Sequence, residues 1–299
     1  MKKVSLVLSG GGARGLAHIG VLEELEEQGF EIHSITGTSM GAVVGGIYAA
    51  GKMKAFKEWI LKLDKIDVFN LVDFTLFKGG FIEGDKVFKE LSGFIPDTQI
   101  QDLPIRFCAT ATDLISKKQV IFKEGSLYKA MRASIAIPNV ITPLKHEESL
   151  LVDGGVINNI PIPHAPRNDR DVLIAVNVNA DLPLPEKKEE KKEEKEEKKK
   201  GEEERSFYQN TIDKFNKNLN ELFPEDDSNE LSYFDIMNVS FEIMRNEMVK
   251  YTLEKHPPDI LIETPRYSCE IYDFYKADEL IEMGRKAALK ALNDYKDDQ

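Results

Sequence analysis

The chain has 299 residues, of which 41% are hydrophobic and 31% charged, and its formal net charge is −12. This length and apolar content are typical of a globular protein with one large domain or two smaller ones. The acidic balance argues against nucleic acid binding, which needs a basic surface. It also makes the surface a poor general attractor for anionic membranes.

Cysteine usage and hydropathy favour a cytoplasmic location. The two cysteines, Cys108 and Cys269, form no C-x-x-C motif, so neither a zinc site nor a disulfide framework is expected. This usage fits a reducing compartment. The apolar run after the first lysines is soon interrupted by glycines, so no signal peptide is expected. No apolar stretch reaches the roughly 18 residues of a transmembrane helix.

The first predicted elements alternate between strand and helix. Residues 4–9 are apolar, β-branched and bounded by glycines, which predicts a buried strand. Apolar residues then recur every third position within 14–29, at Leu16, Ile19, Leu22 and Leu25, which predicts a helix that stops at Gly29. A second strand is predicted over 32–37, followed by a buried helix of small residues over 39–51.

The same alternation continues along the chain. Further strands are predicted over 105–112, 118–122, 150–155, 172–178 and 259–264. Helices are predicted around 52–64, 84–94, 126–133, 206–222, 232–255 and 274–295. Alternating strands and helices favour an α/β fold with a mainly parallel central sheet.

Residues 186–205 break this pattern, because they are almost wholly charged. Like charges predominate among pairs four residues apart, which opposes a stable helix. We expect a flexible, nearly neutral polyampholyte linker or insert, and the alternative is a lid or a partner-binding segment.

A glycine-rich loop, SGGGARG at residues 9–15, joins the first strand to the first helix and matches G-x-G-x-x-G through Gly10, Gly12 and Gly15. A dinucleotide site also needs a carboxylate closing the second strand, and a P-loop needs Gly-Lys-Ser/Thr; neither is present. Consecutive glycines before a helix also let backbone N–H groups converge on an oxyanion. Gly11 and Gly12 are the expected donors. Arg14 adds positive charge, braces the loop, or forms a surface salt bridge.

The second loop carries GTSMGA, residues 37–42, with the spacing of a nucleophile elbow at Gly37, Ser39 and Gly41. The motif alone can arise by chance, but a strand before it and a helix after it are the setting that an elbow requires. Loops after neighbouring parallel strands meet at one edge of the sheet. We therefore predict that Ser39 lies beside the amides of the first loop, at a helix N-terminus that favours negative charge.

Two candidates exist for the base that a serine nucleophile needs. Of the five histidines, only His256 has the late position of a hydrolase triad, and it is equally natural as a helix-end residue. Asp153 ends the apolar run 150–153 and precedes two glycines. Its alternative role is an ordinary Asp-Gly turn.

Taken together, SGGGARG, GTSMG and DGG resemble, in order and spacing, the three signature motifs of patatin-like phospholipases. The segments MRASIAIP (131–138) and ATDL (111–114) are also similar to family segments. The resemblance implies a three-layer α/β/α fold and a Ser–Asp dyad, with Ser39 as nucleophile and Asp153 as proton acceptor. It also implies an oxyanion loop at Gly10, Gly11, Gly12, Arg14 and Gly15.

The resemblance covers about residues 4–166 and implies the activity, while composition and pattern indicate the domain plan of the rest. A catalytic core over 4–166 is followed by a core strand and exit loop (167–185), the charged insert (186–205), and C-terminal helices and a strand (206–299) that complete the same domain. The implied reaction is hydrolysis of a lipid acyl ester through an acyl-enzyme, without metal or cofactor. The alternatives are acyl transfer with the same dyad and a catalytically quiet lipid-binding or regulatory protein.

Residues 68–84 are unusually aromatic for a loop-rich stretch. Phe69, Phe74, Phe77 and Phe81 are candidates for an acyl groove or for peripheral contact with a membrane. Their alternative role is packing under the catalytic loops. No oligomeric state is indicated.

Overall fold

The computed structural model describes residues 2–72, 85–138, 140–168, 170–184 and 233–297. The chain divides into two compact units, one formed by Met1–Leu184 with Met244–Gln299 and the other by Pro185–Ile243. The candidate site and all contacts reported below belong to the first unit.

The described part of the chain alternates strands and helices. Its strands are β1 (Lys3–Leu8), β2 (Glu31–Thr38), β3 (Arg106–Asp113), β4 (Lys118–Phe122), β5 (Leu144–His146), β6 (Ser149–Asp153), β7 (Val172–Ala180) and β8 (Ile260–Pro265). Its α-helices are α1 (Ala17–Glu27), α2 (Met40–Ala49), α3 (Met53–Ile60), α4 (Lys65–Val72), α5 (Asp85–Leu91), α6 (Leu127–Ser134), α7 (Tyr233–Lys255) and α8 (Ala277–Asp297). A turn of 3₁₀ helix, Gly12–Leu16, leads directly into α1.

The strands form one mixed sheet in which β3, β2, β1, β7 and β8 are parallel neighbours. Strands β4 and β6 pair antiparallel with β3, and β5 pairs antiparallel with β6. Central strand β1 is buried from Val4 onward, as expected where helices cover both faces of a parallel sheet. The predicted α/β fold with a mainly parallel sheet is confirmed.

Two features of the fold differ from the sequence prediction. Strand β5 was not predicted, because three residues are too few to show a period of two. Helix α4 covers Lys65–Val72, where we expected the start of a loop-rich stretch. The predicted helix at 206–222, the charged run 186–205, and Phe74, Phe77 and Phe81 lie outside the described residues. No described helix is both long and apolar enough to cross a bilayer.

Glycines let α8 pack directly on α1. A Cβ on Gly284 would lie 1.9 Å from the carbonyl oxygen of Ala17, and one on Gly20 would lie 1.8 Å from that of Ile281. At the same contact Arg285 forms an ion pair with Glu23 at 2.5 Å. Because β8 also pairs with β7, both ends of the segment between β8 and α8 are fixed to the core.

Candidate active site

Ser39 occupies the tight turn between β2 and α2. Its backbone has φ +54° and ψ −127°, a conformation that non-glycine residues rarely adopt and that stores strain. A Cβ on Gly37 would lie 2.4 Å from the carbonyl oxygen of Gly41, and one on Gly41 would lie 2.4 Å from that of Leu8. Steric crowding therefore requires glycine at both flanking positions, as the spacing of the motif predicts.

Strand β3 brings Asp153 to Ser39. Thr110 of β3 pairs with Thr38 at the end of β2, and the next residue, Ala111, pairs with Asp153 at the end of β6. Since β4 occupies the other side of β3, β2 and β6 meet end to end along one side of that strand. The Ser39 side chain reaches the Asp153 carboxylate and acts to lower the pKa of Asp153 by stabilising its ionised form.

The environment of Asp153 makes its carboxylate more basic than a free aspartate. Burial raises the pKa of Asp153 to about 6, while hydrogen bonds from the Ser39 hydroxyl and the Gly155 amide and the charge of Arg245 act in the opposite direction. The Gly155 N–H donates to Oδ1 of Asp153 at 2.7 Å. Arg245 lies on α7, and nothing in the sequence pattern singled it out.

Gly154 must also be a glycine for the Asp153 turn to fit against β3. A Cβ there would lie 2.3 Å from Oγ1 of Thr110 and 2.6 Å from its carbonyl oxygen. The two glycines after Asp153 thus have separate roles, since one packs on β3 and the other donates its amide to the carboxylate.

The first glycine loop passes beside the serine. A Cβ on Gly10 would lie 2.9 Å from Cβ of Ser39. The N–H of Gly10 donates to Asn159 O, and that of Ala13 donates to Ile271 O, each at 3.0 Å. Between them, the N–H groups of Gly11 and Gly12 donate to no acceptor within the described part of the chain. Two amides of the loop are therefore available to a ligand.

Buried side chains hold this loop in place. The carbonyl oxygen of Gly10 accepts hydrogen bonds from Nδ2 of Asn179 at 2.6 Å and from Nδ2 of Asn159 at 3.3 Å. Nε2 of His18 lies 2.8 Å from the carbonyl oxygen of Ser9. Burial lowers the pKa of His18 to about 4, so the imidazole is neutral near pH 7 and donates to that carbonyl. His18 thus holds the backbone of the glycine loop at Ser9.

The remaining predicted loop residues have packing and bracing contacts. Nη1 of Arg14 donates to Arg266 O at 2.9 Å, which matches the bracing alternative of the sequence analysis. A Cβ on Gly15 would lie 2.5 Å from Cγ of Met40, so this glycine lets the loop approach α2. His256, the other candidate base, precedes β8 and therefore lies at the amino end of the parallel strands, away from Ser39.

Ser134 is a site residue that the sequence analysis did not assign, although it lies in the segment MRASIAIP. The backbone N–H of Ser39 donates to Oγ of Ser134 at 2.7 Å, and that hydroxyl donates to Thr110 O at 2.7 Å. Ser134 is fully buried at the end of α6. It therefore fixes the backbone of the strained turn.

An apolar cavity adjoins the serine. Its volume is about 950 Å³, counted with its opening to solvent, and Ser39 and Gly12 are among its lining residues. The rest of the lining is almost entirely hydrophobic and includes Val43, Phe56, Trp59, Phe88, Ile135 and Ile271. A site of this size and lining suits a hydrophobic ligand whose polar end reaches Ser39.

The sequence model of the patatin-like phospholipase family matches residues 6–166. The chain belongs to this family. A protein of Mycobacterium tuberculosis, named an uncharacterized NTE family protein, is 32% identical over 99% of this chain and 93% of its own length. Lysophospholipase NTE1 of Saccharomyces cerevisiae is 31% identical over 59% of this chain and 11% of its own length. The crystal structure of VipD from Legionella pneumophila superposes with a TM-score of 0.49 at 12% identity, over 98% of this chain and 67% of that one.

Proposed function

We propose that this patatin-like protein is a serine lipid acyl hydrolase that uses Ser39 and Asp153 as a catalytic dyad. The observation that carries the proposal is the approach of the Ser39 side chain to the buried Asp153 carboxylate, beside two unused amides and an apolar cavity. Membership of the patatin-like phospholipase family supports a lipid ester as the substrate. The name of the yeast relative, a lysophospholipase, points to the same substrate class.

Acylation begins when Asp153 accepts the proton of the Ser39 hydroxyl as Oγ bonds to the carbonyl carbon of the ester. The amides of Gly11 and Gly12 donate to the oxyanion, and the N-terminus of α2 favours the same negative charge. The carbon–oxygen bond to the alcohol then breaks, and the alcohol leaves with the proton held by Asp153. The apolar cavity retains the acyl chain during this step.

Deacylation repeats these steps with water as the nucleophile. Asp153 takes a proton from the water as its oxygen attacks the acyl-enzyme, and the proton passes to Ser39 as the fatty acid leaves. An acceptor alcohol in place of water would give acyl transfer from the same intermediate. Product analysis with and without added glycerol or lysolipid separates these two outcomes.

The test uses two substitutions at the dyad and one outside it. Ser39→Ala and Asp153→Asn should each abolish hydrolysis of a p-nitrophenyl acyl ester, and Ser39→Ala should also abolish labelling by a fluorophosphonate probe. Ser116→Ala, which changes an exposed turn serine, is the matched control and should keep both activities. Thermal unfolding checks that each variant is folded. Hydrolysis at the wild-type rate by folded Ser39→Ala would refute the proposed function.

A further inference from the structure

The segment between β8 and α8, residues 266–276, lies outside the 6–166 range that the family model matches, yet it contacts the glycine loop. We call it the C-terminal turn. The N–H of Ala13 donates to Ile271 O at 3.0 Å. Nη1 of Arg14 donates to Arg266 O at 2.9 Å and to Cys269 O at 3.4 Å. The loop that carries the proposed oxyanion donors is thus attached to this turn by both backbone and side chain.

Ile271 is the residue of the C-terminal turn that packs directly against Gly12 of the proposed donor loop. A Cβ on Gly12 would lie 2.4 Å from Cγ1 of Ile271 and 2.7 Å from its carbonyl oxygen. Gly12 also has φ +56°, which favours glycine at this position. Ile271, Gly12 and Ser39 all line the cavity. The Ile271 side chain therefore packs on the proposed donor loop within the cavity that Ser39 also lines.

The C-terminal turn is braced by contacts of its own. Oδ2 of Asp273 accepts hydrogen bonds from the N–H of Glu270 at 3.1 Å and from Nζ of Lys276 at 2.5 Å. Tyr272 and Phe274 line the cavity beside Ile271, and burial raises the pKa of Tyr272 to about 12, so that it remains a neutral phenol. Strand β8 and helix α8 hold the two ends in the core. A braced turn cannot easily move Ile271 aside to accept a wider substrate.

We propose that Ile271 is a specificity-determining residue that selects acyl groups unbranched next to the ester carbonyl. The inference deepens the proposed function and rests on it. An acyl carbonyl placed between Ser39 and the amides of Gly11 and Gly12 puts the following carbons against the β-branched side chain of Ile271. A linear chain passes this point into the cavity, whereas a substituent on the first carbon competes with Cγ1 for the same space.

The test compares two isomeric esters, p-nitrophenyl octanoate and p-nitrophenyl 2-ethylhexanoate. Ile271→Ala should raise the ratio of kcat/KM for the branched ester to that for the linear ester by at least about tenfold, the lower end of the discrimination that one methylene group provides in an apolar pocket. Ile271→Val should shift the ratio less, in the same direction. Tyr267→Ala removes an exposed side chain of the same turn and should leave the ratio at the wild-type value.

The outcomes separate this inference from the proposed function. If the wild type hydrolyses the linear ester and the ratio is unchanged in folded Ile271→Ala, the role of Ile271 is wrong while the dyad stands. If Ile271→Ala does not fold, the ratio is measured on Ile271→Val instead. An unchanged ratio in folded Ile271→Val also means that the role of Ile271 is wrong. If the wild type hydrolyses neither ester and takes no fluorophosphonate label, the proposed function itself fails.

Discussion

The backbone N–H of Ser39 donates a 2.7 Å hydrogen bond to Oγ of Ser134, a residue of a different helix. Ser134 in turn donates to the carbonyl oxygen of Thr110, against which Gly154 packs. Thr110 thus contacts both Ser134, which holds the backbone of Ser39, and Gly154, which follows Asp153. The positive φ of Ser39 is maintained by this surrounding structure, as strained turns at functional sites generally are.

Ser134→Ala should impair catalysis more than substrate binding. The substitution leaves the buried Ser39 amide without its acceptor, which costs about 1–3 kcal/mol of folding stability. A relaxed turn would misplace the hydroxyl, so we expect kcat to fall by about 10- to 100-fold while KM changes little. Steady-state kinetics on a p-nitrophenyl ester and urea unfolding measure both effects. Ser92→Ala, at an exposed serine that donates to Lys89 O, is the control. A wild-type kcat in Ser134→Ala would contradict this role.

The pH profile of kcat/KM should follow the ionisation of Asp153. The base must be unprotonated to accept the serine proton, and burial raises its pKa to about 6. Activity should therefore fall as the pH drops through about 6, with the slope of a single proton. A midpoint near the ordinary aspartate value of 3.8 would show that Asp153 is not the titrating base.

Arg245→Gln gives an independent check on that assignment. The positive charge of Arg245 lowers the pKa of Asp153, so removing it should move the midpoint of the kcat/KM profile to higher pH. The same profile measured on the variant tests the direction of the shift. A midpoint that stays in place or moves to lower pH would mean that the charge of Arg245 does not act on the group that titrates in the profile.

Local sterics explain why part of this site can be predicted from sequence. The glycines at 37, 41 and 154 stand where a Cβ would meet backbone atoms within 2.7 Å, so a short motif indicates where each turn must form. The proximity of Ser39 and Asp153 cannot be predicted in this way. It depends on β6 running antiparallel beside β3, in line with β2. No periodicity in the sequence encodes that pairing. The resemblance to a family suggested the dyad, whereas the residues alone left His256 and Asp153 both open.

The contacts that hold the candidate site in place could not be predicted from the sequence either. Ser134 and Asn179 are single polar residues in apolar or mixed runs, and their partners are backbone groups far away in the chain. Ile271 reaches Gly12 only because β8 and α8 carry it there. The assignment of the Gly11 and Gly12 amides as oxyanion donors stays a prediction, which the absence of an acceptor among the described residues supports.

His18 should make the fold sensitive to acid. Burial lowers its pKa from 6.5 to about 4, so between these values the unfolded chain binds a proton that the folded chain does not. The contribution of His18 to folding stability therefore falls as the pH drops through this window, by about 3 kcal/mol for the whole shift. The raised pKa of Asp153 acts in the opposite direction, so the effect of His18 is read from the comparison with a variant. His18→Gln keeps a donor for the Ser9 carbonyl without a titrating group, so its stability should fall less over the same window. Urea unfolding of both proteins at several pH values measures the difference, and parallel losses would contradict the prediction.

Gly154→Ala should separate damage at the site from general loss of stability. A Cβ there would lie 2.6 Å from the carbonyl oxygen of Thr110, which pairs in the sheet and cannot move freely. Overpacking of this kind costs about 1–3 kcal/mol. Because Gly154 directly follows Asp153, the carboxylate should shift with it, and kcat should fall by more than about tenfold.

Gly93→Ala is the matched control, because a Cβ at Gly93 would meet only the Glu90 carbonyl oxygen, at 3.3 Å. This contact lies after α5, in a turn with no part in the proposed dyad. The control should retain the wild-type kcat and most of the unfolding free energy. If Gly154→Ala loses stability but keeps kcat, the close packing on Thr110 serves the fold and does not position Asp153.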